Sequence, residues 1–382
     1  VKAHSFLLDQ RCPKVPPEVA ALDSDNTLVV AFGAPDLEKA KPHLDELVLQ
    51  FPRSHVIGCS TAGEIHGTQI HDGAVSVAVA RFEDTQLMSA SVEVPSAEDS
   101  FSSGEALIEK LARPDLRAVF VLSEGLHVNG SRLIGGMNRR AADGVVITGG
   151  LAGDGSRFGK TWVLSSGHIR DKTVAAIGFY GSRFVVGHGS KGGWDQFGLH
   201  RVVTRAEKNV LYELNGKPAL AVYKDYLGTL SNGLPATALL FPLAIHQAKD
   251  DEEPIVRTVL SIDEAKQSLT FAGDIPEGAR VQLMRADFDR LIEGASEAAK
   301  LTRAIECEDG DSLSIAISCV GRRLVLGERA EEEVESALDA LPKGTKLVGF
   351  YSYGELSPLA TGTCELHNQT MTLTMFREQA AA

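Results

Sequence analysis

Leu28-Val-Val-Ala-Phe32, then Leu44, Leu47, Val48 and Phe51 at helical spacing, then Val56-Ile-Gly-Cys59: this stretch decides the fold. The five-residue apolar run reads as a buried strand, the three-to-four spacing as one face of a helix, and the last four residues as a second strand. Pro42 is expected in the first turn of the helix, where its missing N–H costs nothing. The second strand runs straight into Ser60-Thr61-Ala62-Gly63-Glu64, a turn of small residues that carries one acid.

The same rhythm recurs twice. Ala118-Val-Phe-Val-Leu122 precedes a helix with Leu133, Ile134, Met137 and Ala141 on one face, for which Ser131 is the expected cap. Val145-Val-Ile-Thr148 then enters Gly149-Gly150-Leu151-Ala152-Gly153-Asp154. In the third copy Leu313-Ser-Ile-Ala-Ile317 leads to a helix bearing Val334, Ala337, Leu338 and Leu341. Lys346-Leu-Val-Gly-Phe350 then enters Tyr351-Ser352-Tyr353-Gly354-Glu355. Glycine in such turns permits positive φ and close backbone approach, and the strand ends of open α/β sheets are where ligands bind. Two readings stand: a duplicated site architecture, or ordinary strand-to-loop turns.

Between the units the pattern changes. Residues 74–82 and 87–94 read as paired strands, and 161–164, 174–179 and 184–187 as a meander. The glycine-dense Gly187-His-Gly-Ser-Lys-Gly-Gly-Trp194 reads as a loop. Pro218 suits the first position of a helix over 218–227, and 287–302 reads as an amphipathic helix with Phe288, Leu291, Ile292, Ala295 and Leu301 inward. The expected class is mixed α/β (α+β). Two packed domains carry repeated strand–helix–strand units and antiparallel insertions: an N-terminal extension (1–25), a first domain (26–215), a second (216–376) and a short tail (377–382).

A length of 382 residues suits two domains. The net charge of −13 repels nucleic-acid phosphates and anionic lipid, so neither is an expected partner. The acidic run Asp250-Asp251-Glu252-Glu253 reads as a solvated loop. Five cysteines (Cys12, Cys59, Cys307, Cys319 and Cys364) with no Cys-x-x-Cys pair suit a reducing compartment. No signal-peptide pattern and no membrane-length apolar run is present, so the expectation is a cytoplasmic protein.

Six segments together are similar to the FIST family of bacterial sensory proteins, in both its N- and C-terminal halves. They are Gly58-Cys-Ser-Thr-Ala-Gly-Glu64, Gly149-Gly-Leu-Ala-Gly-Asp154, Asn215-Gly-Lys-Pro-Ala-Leu220, Cys319-Val-Gly-Arg322, Gly349-Phe-Tyr-Ser-Tyr-Gly-Glu355 and Leu366-His-Asn-Gln-Thr370. The resemblance implies a small-ligand sensor that regulates a signalling partner such as a histidine kinase. Its stand-alone members include haem proteins that sense nitric oxide; others were proposed to bind solutes such as amino acids.

For an amino-acid ligand, Glu64 or Glu355 suits the ammonium, and Arg322 can grip the carboxylate as a bidentate fork. Asp154, Cys319, Tyr353, Gly354, His367 and Asn368 complete the candidate set. The structural alternative pairs Arg322 with Glu355. A haem needs an axial ligand in an apolar pocket, and the sequence leaves it open among His188, His200, His246 and His367. Cys12-Pro13 is a dipeptide sometimes linked with haem, and Pro13 also suits a turn. Metalloprotease, Walker and nucleophile-elbow motifs are absent. The enzyme alternative is a thiol chemistry at Cys59, against which stands a buried inert thiol; the expectation is a binding protein, not an enzyme.

Overall fold

The computed structural model describes residues 1–246, 254–304 and 311–379. The acidic run at 250–253 and Cys307 lie outside the described residues. The architecture is mixed α/β, and the repeated units are its basis.

The first unit comprises β1 (Lys2–Leu8), α1 (Pro17–Ala20), β2 (Thr27–Gly33), α2 (Leu37–Gln50), β3 (His55–Ser60), a hairpin of β4 (Glu64–His66) and β5 (Gln69–His71), and β6 (Val75–Arg81). The second repeats this order with β7 (Gln86–Glu93), α3 (Ser100–Leu111), β8 (Leu116–Ser123), α4 (Gly130–Arg140), β9 (Val146–Leu151), β10 (Val163–Ser165), β11 (His168–Arg170) and β12 (Thr173–Tyr180). The third opens with β13 (Phe184–Lys191) and is then interrupted by an insertion. The insertion comprises β14 (Asp195–Glu207), β15 (Val210–Leu214), β16 (Lys217–Pro218), α5 (Ala219–Leu227), β17 (Leu243–His246), β18 (Ile255–Arg257), β19 (Val259–Asp263), β20 (Ser268–Phe271) and β21 (Arg280–Arg285). The unit resumes with α6 (Phe288–Leu301), β22 (Ser312–Cys319), α7 (Val320–Leu326), α8 (Ala330–Ala340), β23 (Thr345–Ser352), β24 (Gly354–Pro358), β25 (Cys364–His367) and β26 (Met371–Glu378).

Each unit builds four strands of its own sheet and gives its hairpin away. The sheet orders are β1-β6-β2-β3-β10-β11, β25-β24-β9-β8-β12-β7 and β13-β26-β22-β23-β4-β5. The first unit's hairpin therefore completes the third sheet, the second's completes the first, and the third's completes the second. The parallel pairs share one register: Gly58 faces Ala31, Gly149 faces Val121 and Gly349 faces Ala316. At all three a Cβ would overlap the facing carbonyl oxygen, so these glycines set how closely the paired strands approach. A central apolar core joins all three units, with Phe32 stacked on Phe350 at 4.8 Å and Phe120 and Phe376 in edge contact. The helices cover the outer faces.

This exchange corrects two expectations. β6 and β7 do not pair with each other; β6 lies between β1 and β2, and β7 on β12. The meander is not one either, since β10, β12 and β13 stand in three different sheets. The stretch 187–191 is strand rather than loop. Gly187 and Gly189 are there because the carbonyls of Thr302 and Ala298 at the end of α6 occupy the space a Cβ would need. Asp36, not Pro42, starts α2, its carboxylate accepting the Glu38 N–H, and Pro42 sits inside the helix. Asn129 rather than Ser131 caps α4. In α6 the inward face is Leu291, Ala295, Ala298 and Ala299, with Phe288 and Leu301 exposed. The residues taken as an N-terminal extension include β1, which pairs with β6 over its whole length.

Replacing Gly349 by alanine forces a methyl group into the Ala316 carbonyl at the centre of a parallel pair. The expected cost is about 1–3 kcal/mol of overpacking strain, read as a lower urea midpoint at unchanged m-value.

Candidate functional site

The three closing strands β3, β9 and β23 end at one junction, and their turns bond to one another. Ala62 N–H donates to the Tyr351 carbonyl (2.8 Å) and Tyr351 N–H to that of Gly63 (2.9 Å). Gly153 N–H donates to Ser60 O (3.0 Å) and Tyr353 N–H to Leu151 O (3.2 Å). A Cβ on Gly153 would press on Ala62, and one on Gly125 would overlap the Ala152 carbonyl. Backbone groups that no sheet satisfies are thus satisfied between units.

Two of the three turn acids play one role. Glu64 accepts from Thr61 Oγ (2.5 Å) and from the N–H groups of Gly73 (2.9 Å) and Ala74 (3.2 Å). Glu355 accepts from Ser352 Oγ (2.6 Å) and from the N–H and hydroxyl of Thr370 (3.3 and 3.0 Å). Each buried carboxylate ties its own turn to the entry of the antiparallel strand β6 or β26. Burial pushes Glu64 up to about 7 and Glu355 up to about 8, against the pull of these donors. Asp154 differs. It takes N–H bonds from Gly159 and Lys160 (both 2.9 Å) and the hydroxyl of Tyr353, whose ring stacks on Phe158 at 4.5 Å. Burial raises the Asp154 carboxyl, and the bonds from Tyr353 and the backbone outweigh that and hold it below the usual range.

Beside the junction lie two clefts that share Pro35, Asp36 and Arg157. One, of about 470 Å³, is also lined by Leu37, Glu38, Asp154, Gly159 and Lys160. The other, of about 280 Å³, adds Lys39, Thr61, Ala62, Gly63, Glu64, Asp72, Gly73 and Gly155. Their walls are the start of α2, the first turn, and the loop after β9. Arg157 holds the Asp154 carbonyl through Nε (3.0 Å), and Arg323 closes one side by gripping Asp72 and the Ala62 carbonyl. Glu64 and Asp154, expected from sequence, line this groove. The sequence reading missed Asp36, Lys39, Arg157 and Lys160; the one signal was two cations among the glycines at 153–160.

A family model described as the FIST N domain matches residues 27–217, and one described as the FIST C domain matches residues 219–358. The chain belongs to the FIST family. FIST domains are sensory domains, consistent with a small-molecule ligand. The chain is similar to the uncharacterized protein MJ1623 of Methanocaldococcus jannaschii, at 24% identity over 87% of this chain and 69% of that protein. It is also similar to the uncharacterized proteins MT0897 (25%) and Rv0628c (26%) of Mycobacterium tuberculosis, spanning 61% of each.

The remaining candidates of this FIST chain stand away from the groove. Arg322 is fully buried and turned to Glu333, not Glu355, through Nε (3.0 Å) and Nη2 (2.8 Å). Its other N–H groups reach the carbonyls of Leu291, Gln369 and Gly192. Ser318 and the Tyr351 hydroxyl complete the Glu333 carboxylate. Burial raises the thiols of Cys59 and Cys319 far above the range of a reactive cysteine. Gly354 pairs with Leu151 in the second sheet. His367 is buried, with Nε2 3.0 Å from the Ser357 carbonyl, and Asn368 is buried beside it.

The four histidines stand apart from the groove. His188 is half-buried on β13, and His200 is exposed, in edge contact with His246 at 5.2 Å, leaving no room for a porphyrin iron between their rings. None of the four lines either cleft. No helix among the described residues is long and apolar enough to cross a membrane.

Two measurements check this geometry. Glu333→Ala leaves Arg322 buried without its counter-ion and should cost about 3–5 kcal/mol of stability, read by urea unfolding. Glu64 and Glu355 have folded values raised above the ordinary carboxylate value of 4.5. They therefore favour the folded chain fully below that value, and the contribution is lost as pH climbs to about 7 and about 8. Glu64→Gln with Glu355→Gln should flatten the fall in melting temperature over that window.

Proposed function

We propose that this FIST chain senses a small zwitterionic solute of the amino-acid class in the groove between the first turn, the start of α2 and the loop after β9. The observation that carries the reading is the groove's mixed charge: Arg157, Lys160 and Lys39 stand beside Asp36, Glu38 and Asp72. A carboxylate is held by the guanidinium and the two ammonium groups. A ligand ammonium finds the carboxylates at the start of α2.

The wiring for a signal is the chain of bonds from the groove into the junction. Arg157 holds the Asp154 backbone, Asp154 takes the Tyr353 hydroxyl, and Tyr353 belongs to the third turn. A ligand that favours one setting of Arg157 and its loop biases the contacts among all three units. The output is regulation of a partner signalling protein such as a histidine kinase. None of the histidines that could ligate a haem lines either cleft beside the junction, and the solute reading is preferred for that reason.

The test is a thermal-shift screen of amino acids and related zwitterions. A ligand at a hundred times its Kd stabilises by about 2.7 kcal/mol. Arg157→Ala removes charge-assisted hydrogen bonds worth about 1.5–3 kcal/mol, so the affinity of a hit should drop tenfold or more. A screen without hits, or hits indifferent to Arg157→Ala and Lys160→Ala, would sink the proposal.

A further inference from the structure

The threefold repeat gives the groove a counterpart in the third unit. Thr61 corresponds to Ser352 and Glu64 to Glu355, each hydroxyl donating to the acid three residues on. Ala74 corresponds to Thr370, since each N–H reaches the outer oxygen of that acid. Gly73 and Gln369 then correspond, and both have positive φ, +110° and +61°. Asp72, at the rim of the open groove, corresponds to Asn368.

In the third unit this place is roofed by the insertion. Trp194 Nε1 donates to the Gln369 carbonyl (2.7 Å), Gln369 Nε2 to the Leu239 carbonyl (3.3 Å), and Arg257 to the Leu366 carbonyl (2.8 Å). Beneath it Asn368 is 1% exposed and Gln369 fully buried. Yet Asn368 Oδ1, Asn368 Nδ2 and Gln369 Oε1 have no hydrogen-bond partner, and Thr258 Oγ, next to Arg257, has none either. A buried amide with neither half satisfied is costly and rare. Asn368 is in that state here, and its neighbour in the same turn, Gln369, has its amide oxygen unmet.

We infer that the β25–β26 turn, at Asn368 and Gln369 beneath the insertion, is a second and occluded site for a small uncharged molecule bearing a primary amide. The unmet atoms of the turn itself are two acceptors, Asn368 Oδ1 and Gln369 Oε1, and one donor group, Asn368 Nδ2; Thr258 Oγ is a fourth unmet atom, on the insertion. A primary amide supplies two N–H donors and one carbonyl. One N–H and the carbonyl exchange paired bonds with the Asn368 side chain, and the second N–H serves Gln369 Oε1. A charged ligand is disfavoured, because both nearby guanidiniums are already committed. Arg322 is spent on Glu333 and backbone carbonyls, and Arg257 on the Leu366 and Asp274 carbonyls with Glu365 at 3.6 Å. Entry requires the seam between the insertion and the turn to part. The site does not rest on the reading of the open groove.

The test uses the full chain with acetamide and nicotinamide as probes and acetate and methylamine as charged controls. Melting temperature and one-to-one binding by native mass spectrometry are the readouts. The two amides should raise the melting temperature of the parent protein and of Arg157→Ala, and the charged controls should not. Asn368→Leu should abolish the response while melting, without ligand, no lower than the parent, since it removes an unpaired amide. If Asn368→Leu fails to fold, Asn368→Asp decides, with an expected loss of tenfold or more in amide affinity. Three results overturn the inference: no amide response in the parent; a response that survives substitution at Asn368 or vanishes in Arg157→Ala; or a folded Asn368→Leu that melts below the parent, which marks an amide satisfied by buried water.

Discussion

Each unit gives away the hairpin that follows its closing strand, and this exchange governs the rest of the structure. A sheet that ends at β3, β9 or β23 would expose a row of unpaired N–H and carbonyl groups. The neighbour's hairpin covers that edge, so the sheet of each of the three units is completed by another unit, while the insertion's strands form a sheet of their own. No unit can form its full sheet alone, and the central core of Phe32, Phe120 and Phe350 closes only when all three are present. The family's two halves meet at residues 217–219, inside the insertion, while the strand pairing runs across that point in both directions.

The exchange also decides where chemistry can occur. The chain must turn sharply at the end of each closing strand to leave its own sheet, so three turns crowd one junction. Glycine and alanine stand where the turns approach most closely, as at Gly125, Gly153 and Ala62. A carboxylate three residues past a hydroxyl serves as an internal clamp in two of the three copies. The second copy breaks the pattern. Its loop from Asp154 to Lys160 is longer, its acid is used to order that loop, and the extra length brings Arg157 and Lys160 to the groove. Divergence of one copy, rather than the repeat itself, supplies the cations of the candidate site.

The insertion between β13 and α6 separates the third copy from the first two. It has its own core and an apolar seam against α6, α7 and α8 that includes Trp194, Met284, Leu291 and Leu326. In the first unit the place beside the clamp is open to solvent, and in the third it is sealed. Arg322 and Glu333 lie at that seal as a fully buried ion pair with every donor assigned. An isolated guanidinium is intolerable in such a place, and the surrounding carbonyls and carboxylate make it a fixed joint between the third unit and the insertion.

Helical spacing in the chain names the inward faces of α2, α4 and α8, and apolar runs name β2, β8, β22 and their partners, because these depend on neighbours within a few residues. The three acid-bearing turns were legible for the same reason, and Glu64 and Asp154 do line the groove. Sheet membership was not legible: β6 and β7 are adjacent in sequence and belong to different sheets, since pairing depends on edges made by distant units. Nor was the partner of Arg322, for which the sequence offered Glu355 and to which packing assigns Glu333 on α8. Arg157 carried no local pattern that marks a ligand group. The sequence by itself determined the units, their repetition and the family, all of which are encoded in short-range periodicity and turn chemistry. Only the tertiary structure decided which hairpin completes which sheet, because that depends on edges made by segments up to hundreds of residues apart, and which acids clamp, which face a groove and which polar groups are left unmet, because those depend on burial that no local pattern encodes.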